Sequence, residues 1–163
     1  MNISYYIKRL LHQLRAHNRH GTHSPDVYAL LDEKVYYKSY HGKPVGLGSD
    51  LDLTRKELRL ISCVLNHHGI DELRRCKDDS PFFENRRSAL LISSEKECVS
   101  GMETFLYQGG IIVWYRPYQD KELQKRYETF KQRQADIVVL DFFYLAFSYF
   151  RPEQRGEVFL LKY

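Results

Sequence analysis

Residues 110–115 read Gly110-Ile111-Ile112-Val113-Trp114-Tyr115, and residues 136–141 read Asp136-Ile137-Val138-Val139-Leu140-Asp141. Each is a short β-branched run between polar segments, the pattern of a strand buried on both faces. Between them, residues 120–134 are highly charged but place Leu123, Tyr127 and Phe130 on one helical face. That spacing predicts an amphipathic helix. Residues 142–150 then run aromatic, which predicts a strand turned back antiparallel after Asp141. Residues 157–162 predict a last strand. A strand–helix–strand order implies parallel neighbours with right-handed crossovers, so the fold class is α/β. The strand-only tail predicts an antiparallel edge on that sheet.

Upstream, Ala89-Leu90-Leu91-Ile92 predicts one more buried strand. A helix over 95–107 follows, weakened by Gly101. The N-terminal third reads as three helices. The first, over 2–16, recurs with Ile3, Tyr6, Ile7, Leu10, Leu11 and Leu14 at three- and four-residue spacing, opposite Lys8, His12 and Arg15. Its apolar stripe is expected to lie on the domain; a membrane-surface helix and a partner helix are the alternatives. The second begins at Ser24-Pro25-Asp26, an N-cap, a first-turn proline and an acid at the positive helix end. The third starts near Thr54 and stops at Gly69. Residues 38–50 read as a loop. Residues 71–87 are polar, and Leu73 alone predicts no core strand there.

The chain has 163 residues, 43% hydrophobic and 28% charged, the composition of one globular domain. No apolar run approaches the ~20 residues of a membrane-spanning helix. Lys8, Arg9, His12, Gln13 and Arg15 interrupt any signal-peptide core. A cytoplasmic location is expected. Cys63, Cys76 and Cys98 form no C-x-x-C pair, which excludes a zinc ribbon or thioredoxin-type motif and fits a reducing compartment. Of 25 Lys and Arg, four (Lys8, Arg9, Arg15, Arg19) lie in the first 25 residues, which hold no acid; the other 21 balance 21 Asp and Glu. That asymmetry marks Lys8, Arg9, Arg15 and Arg19 as candidates for an anionic partner, a nucleic acid or a membrane surface, against the plainer reading of a solvated helix face.

Two stretches resemble a known family. Asn18-Arg19-His20-Gly21-Thr22-His23-Ser24-Pro25, after a basic amphipathic helix, is similar to the opening of a group of bacterial class I S-adenosylmethionine-dependent methyltransferase-like proteins. Residues 110–154, with their two β-branched strands, charged helix and Phe147-Ser148-Tyr149-Phe150-Arg151-Pro152-Glu153-Gln154 close, are similar to the end of the same proteins. The resemblance implies a Rossmann-like methyltransferase-type sheet. In it, 89–92 and 111–115 are the fourth and fifth strands, and 137–140 and 143–150 are a reversed sixth and seventh pair. It also implies a cofactor cradle of a glycine-rich turn and an acid at the carboxyl ends of the first strands. Here no apolar strand precedes a G-x-G between Leu58 and Ala89, and about 30 residues per strand–helix–strand unit leave no room for three strands there.

The expectation is therefore an abridged relative, reduced in strand number, with a helical extension over 1–53 and the α/β domain over 54–163, packed as one unit. It has lost cofactor binding and catalysis and acts by binding a protein partner or by self-association. The first alternative is an active methyltransferase whose S-adenosylmethionine site is built unusually from Gly46, Gly48, Ser93 and Tyr115. The second is an anionic-surface module. His20, Gly21, His23, Ser24 and Pro25 are assigned to a structural interhelical turn, because His20-x-x-His23 lacks further ligands at metal-site spacing. No G-x-S-x-G elbow or spaced carboxylate pair points to hydrolysis.

Overall fold

The two β-branched runs do form strands, but they are not neighbours. In the computed structural model, which describes residues 3–17, 23–37, 43, 45–47, 53–75, 88–94, 101–133 and 136–163, the aromatic run lies between them. In chain order the strands are β1 (Gly46–Leu47), β2 (Glu72–Arg75), β3 (Ser88–Ile92), β4 (Ile111–Tyr115), β5 (Ile137–Asp141), β6 (Leu145–Phe150) and β7 (Val158–Leu160). They form one mixed sheet in the order β1-β2-β3-β4-β6-β5-β7. β1 to β4 are mutually parallel, and β6 runs antiparallel to both β4 and β5.

The helices are α1 (Ile3–Arg15), α2 (Pro25–Leu30), α3 (Arg55–His67), α4 (Met102–Tyr107) and α5 (Lys121–Arg133), with a π-helical turn, Leu31–Val35, continuing α2. Alternation along each strand divides the core into two layers. Ala89, Leu91, Val113, Leu140 and Phe147 face α2, its π turn and α3. Leu90, Ile112, Trp114, Val139 and Ala146 face α4 and α5. Trp114 is fully buried beside Tyr127 and Phe130 of α5, and its indole N–H donates to Ser148 Oγ at 3.0 Å. This three-layer α/β arrangement is compatible with a Rossmann-like fold.

Local expectations hold where caps and turns decide them. Ser24 Oγ accepts the Val27 N–H at 3.4 Å, with Pro25 first in the helix. Thr54 and Glu57 form a reciprocal capping box at the start of α3. Gly69 takes φ 69° just beyond α3, a conformation open to glycine at little cost. Cys63 is wholly buried in the core.

Four expectations are corrected. First, the antiparallel strand is interior, and the edge belongs to β7, which runs parallel to β5. β6 is buried along almost its whole length and needs a partner on each side, whereas β7 is short and partly exposed, as an edge strand should be. Second, residues 72–75 are a strand. Leu73 is fully buried, while Arg74 and Arg75 stay exposed. A single inward side chain suffices because β3 supplies the backbone ladder. Third, Gly46-Leu47 lies in a strand pairing with Glu72 and Leu73, so the sheet has seven strands, not the five expected. Val27, Leu30, Leu31 and Val35 also lie in the core, so α2 and its π turn pack as one unit with the sheet.

The fourth correction concerns α1. Its apolar stripe faces away from the domain: Ile3 is 72% exposed, Ile7 53%, Leu10 57% and Leu14 73%, with Tyr6 and Leu11 also exposed. The inward residues are Tyr5, Lys8, Arg9, His12 and, just past the helix, Ala16. Residues 38–42, 44, 48–52 and 95–100 of the expected loop and helix lie outside the described residues.

Candidate functional site

A parallel sheet places ligands outside the carboxyl ends of its strands. At that end of β4, a cleft of about 520 Å³ opens between the first turn of α3, residues 116–119, the turn 142–144 that leads into β6, and α1 above. Leu60, Phe142 and Leu145 form its floor, and Tyr5, Tyr144 and Tyr163 its walls. Lys56, Glu57 and Arg116 are its charged groups.

The local backbone explains why these side chains converge. α3 must start at the cleft because Thr54 and Glu57 cap it there: Glu57 Oε2 accepts from Thr54 N and Thr54 Oγ1, each at 2.8 Å, and the Glu57 N–H donates to Thr54 Oγ1 at 3.2 Å. Glu57 Oε1 is left 3.5 Å from Arg116 Nη2, a long contact. Arg116 ends β4 with φ 50°, its N–H donating to Tyr144 O at 2.8 Å. Its guanidinium lies over the Tyr115 ring at 4.8 Å, and its buried Nε has no acceptor among the described residues. Phe143, in the turn, has φ 72°. Two non-glycine residues in the left-handed region, close to one cleft, are strain of the kind that collects at ligand sites.

Beneath α1, next to the cleft, lies a buried hub on Asp141, which is 0% exposed. Oδ1 accepts the Phe143 N–H at 2.9 Å, which shapes the turn as an aspartate there should. Oδ2 accepts from the Tyr127 hydroxyl at 2.9 Å and from the Tyr118 hydroxyl. His12 Nε2 of α1 stands 3.0 Å from Asp141 O and 3.3 Å from Oδ1, and Lys131 Nζ stands 3.7 Å from Oδ2. Burial opposes ionisation of Asp141, but the His12 hydrogen bond, the Lys131 charge and the Tyr118 hydrogen bond outweigh it and hold the carboxyl below its usual range. Burial, reinforced by the Asp141 charge, pushes both phenols upward, so they stay protonated and donate. The hub clamps α1, α5 and the turn to the end of β5.

A second polar cluster ties α2 to α3 and β6. Asp26 Oδ1 meets His67 Nε2 at 3.0 Å and is paired with Arg151. The His67 hydrogen bond outweighs burial and, with Arg151, holds the Asp26 carboxyl far below its usual range. Beside it, burial pushes His68 down to about 4.

The residues singled out from sequence are scattered. Ser93 and Tyr115 follow the paired Ile92 and Trp114, so they sit side by side at strand ends, but neither lines the cleft. Ser93 Oγ accepts from Arg75 at 3.1 Å. Gly46 is on the outermost strand, separated from β4 by β2 and β3. Gly48, Arg19, His20 and Gly21 lie outside the described residues; His23 is described and exposed. Lys8 donates to Gln124 of α5, Arg9 lies over Tyr144 at 5.2 Å, and Arg15 is exposed. Sequence reasoning missed Tyr5, Lys56, Glu57, Arg116 and Tyr144. Only the Thr54-x-x-Glu57 capping spacing could have pointed to one of them.

Among the described residues no cluster of side chains suits a metal ion, and no helix is long and apolar enough to cross a membrane. No family model, curated protein or solved structure matches the chain.

Proposed function

We propose that this chain is a methyltransferase-like α/β domain that has lost cofactor binding and catalysis and acts by self-association through α1. One observation carries the reading: Ile3, Ile7, Leu10 and Leu14 are all more than half exposed, at the 4-3-4 spacing of a helix-packing seam. Tyr6 and Leu11 flank that seam. A solitary exposed leucine needs no explanation, but a contiguous stripe marks an interaction surface.

Charge favours a second copy laid antiparallel. The described part of α1 holds no acid, and Arg15 is its exposed cation. Parallel pairing would set the two Arg15 side chains together. Antiparallel pairing about Ile7 and Leu10 separates them by about 20 Å at 1.5 Å rise per residue, beyond a Debye length of roughly 8 Å. Six side chains at these exposures present roughly 500 Å², over half of the ~800 Å² that each partner contributes to a standard interface. The methyltransferase-like part is supported by the sheet order, in which an antiparallel strand separates β4 from β5 as the reversed pair of that family would.

Sedimentation and S-adenosylmethionine calorimetry test the two halves. The expected result is a dimer at tens of micromolar (a Kd in the micromolar range) that Leu10→Glu converts to a folded monomer, and no heat on adding S-adenosylmethionine. A monomer at all concentrations overturns self-association. Salt-sensitive binding of that monomer to anionic vesicles supports the surface module instead. Micromolar S-adenosylmethionine binding with turnover of any methyl acceptor replaces the reading with an active methyltransferase.

A further inference from the structure

The cleft at the end of β4 borders the α1 seam, since Tyr6 lines it, but its chemistry is of a different kind. At about 520 Å³ it is in the range of small-molecule sites. Its walls are phenol rings from three separate elements, and two cations, Lys56 and Arg116, face one acid, Glu57. We propose that this cleft binds a small planar monoanion, an aromatic carboxylate, with its ring among Tyr5, Tyr144 and Tyr163 and its carboxylate on the Arg116 guanidinium.

The lining selects that class. The capping box takes up the Glu57 N–H at the helix start, and the charged side chains of the lining supply the anion contact. Lys56 sits 5.0 Å over the Tyr163 ring and is exposed at the mouth, where it supplies field rather than a fixed contact. Arg116 is the group with unused capacity. Its side chain is 38% exposed, and its Nη2 holds Glu57 only at 3.5 Å. A guanidinium fork fits a carboxylate with two parallel hydrogen bonds. Glu57 then sets the limit on ligand charge. Its carboxylate, 12% exposed and beside Arg116, leaves the lining with one net positive charge and repels a dianion such as a phosphate monoester. The aromatic walls favour a flat ring over an aliphatic chain, since offset and edge contacts add to burial.

The test titrates the intact protein with 4-hydroxybenzoate and indole-3-acetate, and with their neutral amides, followed by backbone amide NMR. The acids are expected to bind about tenfold more tightly than the amides, with shifts concentrated at residues 54–57, 116–119 and 142–145. Arg116→Asn removes the cation while keeping a residue that tolerates positive φ. It should weaken the acids about tenfold and leave the amides unchanged. Lys125→Gln, exposed on α5 and away from the cleft, should change neither. If Arg116→Asn does not fold, Lys56→Gln on the exposed side of α3 serves instead, with a roughly threefold loss confined to the acids. Equal affinity for acids and amides, an unaltered affinity in the folded variant, or no binding up to about 10 mM overturns the proposal. Because Tyr6 borders both the cleft and the α1 seam, the titration is repeated on Leu10→Glu, and acid selectivity retained there separates this site from self-association.

Discussion

α1 and α5 have the same length, 13 residues, and both are amphipathic, yet they are placed in opposite ways. α5 buries Leu123, Tyr127 and Phe130 against Trp114 and turns most of its charges outward, Lys131 on Asp141 excepted. α1 turns its leucines and isoleucines outward and buries His12. The difference teaches that periodicity identifies a face but not its direction. Direction is decided by what the domain offers. On the α4–α5 side it offers an apolar sheet face. At the end of β5 it offers a buried carboxylate, and a helix carrying histidine answers that better than a leucine stripe does. Asp141 without His12 would lose one of the groups that compensate its burial, a penalty of several kcal/mol.

The largest effect expected from breaking this contrast is Tyr127→Ala. It removes a fully buried ring and the hydroxyl on Asp141 together, and should lower unfolding free energy by roughly 4 kcal/mol in urea titration. Its counterpart on the other helix, Leu14→Ala, should change monomer stability by less than about 0.5 kcal/mol, because the side chain is 73% exposed. Equal losses at the two positions would erase the contrast. Next comes Asp141→Asn, expected to cost roughly 3 kcal/mol by breaking a buried, paired charge. It should also release α1 first, seen as faster amide exchange at residues 5–12 than in α5. Exchange that rises equally in both helices would mean that the hub does not orient α1.

A comparable but pH-dependent effect comes from the opposite layer. His68 ionises at about 4 in the fold because burial disfavours its cation, against about 6.5 when unfolded. Between those values the unfolded chain binds the extra proton, so stability is full above about 6.5 and falls as pH drops toward 4. The loss should be on the order of 3 kcal/mol, and His68→Phe, which keeps a ring beside Tyr149, should flatten it. Below about 4 the depressed carboxyls of Asp26 and Asp141 continue the decline, since their contribution is lost as they protonate. A pH profile unchanged by His68→Phe would remove His68 as the cause.

Much of the candidate site was not legible beforehand. Tyr5 reads as part of a helix, Lys56 and Glu57 as a helix start, and Arg116 as a strand end. Their convergence depends on which strands neighbour β4, and nothing local specifies that β6 rather than β5 lies beside it. β2 was hidden for a related reason. A strand that borrows its ladder from β3 needs only Leu73 to face inward, so its remaining residues are free to be charged.

From the amino acids alone came the α/β class, the strands β3 to β7, the five helices in outline and the caps at Ser24 and Thr54. These follow from spacing and capping chemistry, which act within a few residues. The order of the sheet, the two thin strands at its edge, the outward turn of α1 and the cleft at Arg116 were decided only in three dimensions. They depend on pairing between distant segments and on where one buried charge, Asp141, had to find its partners.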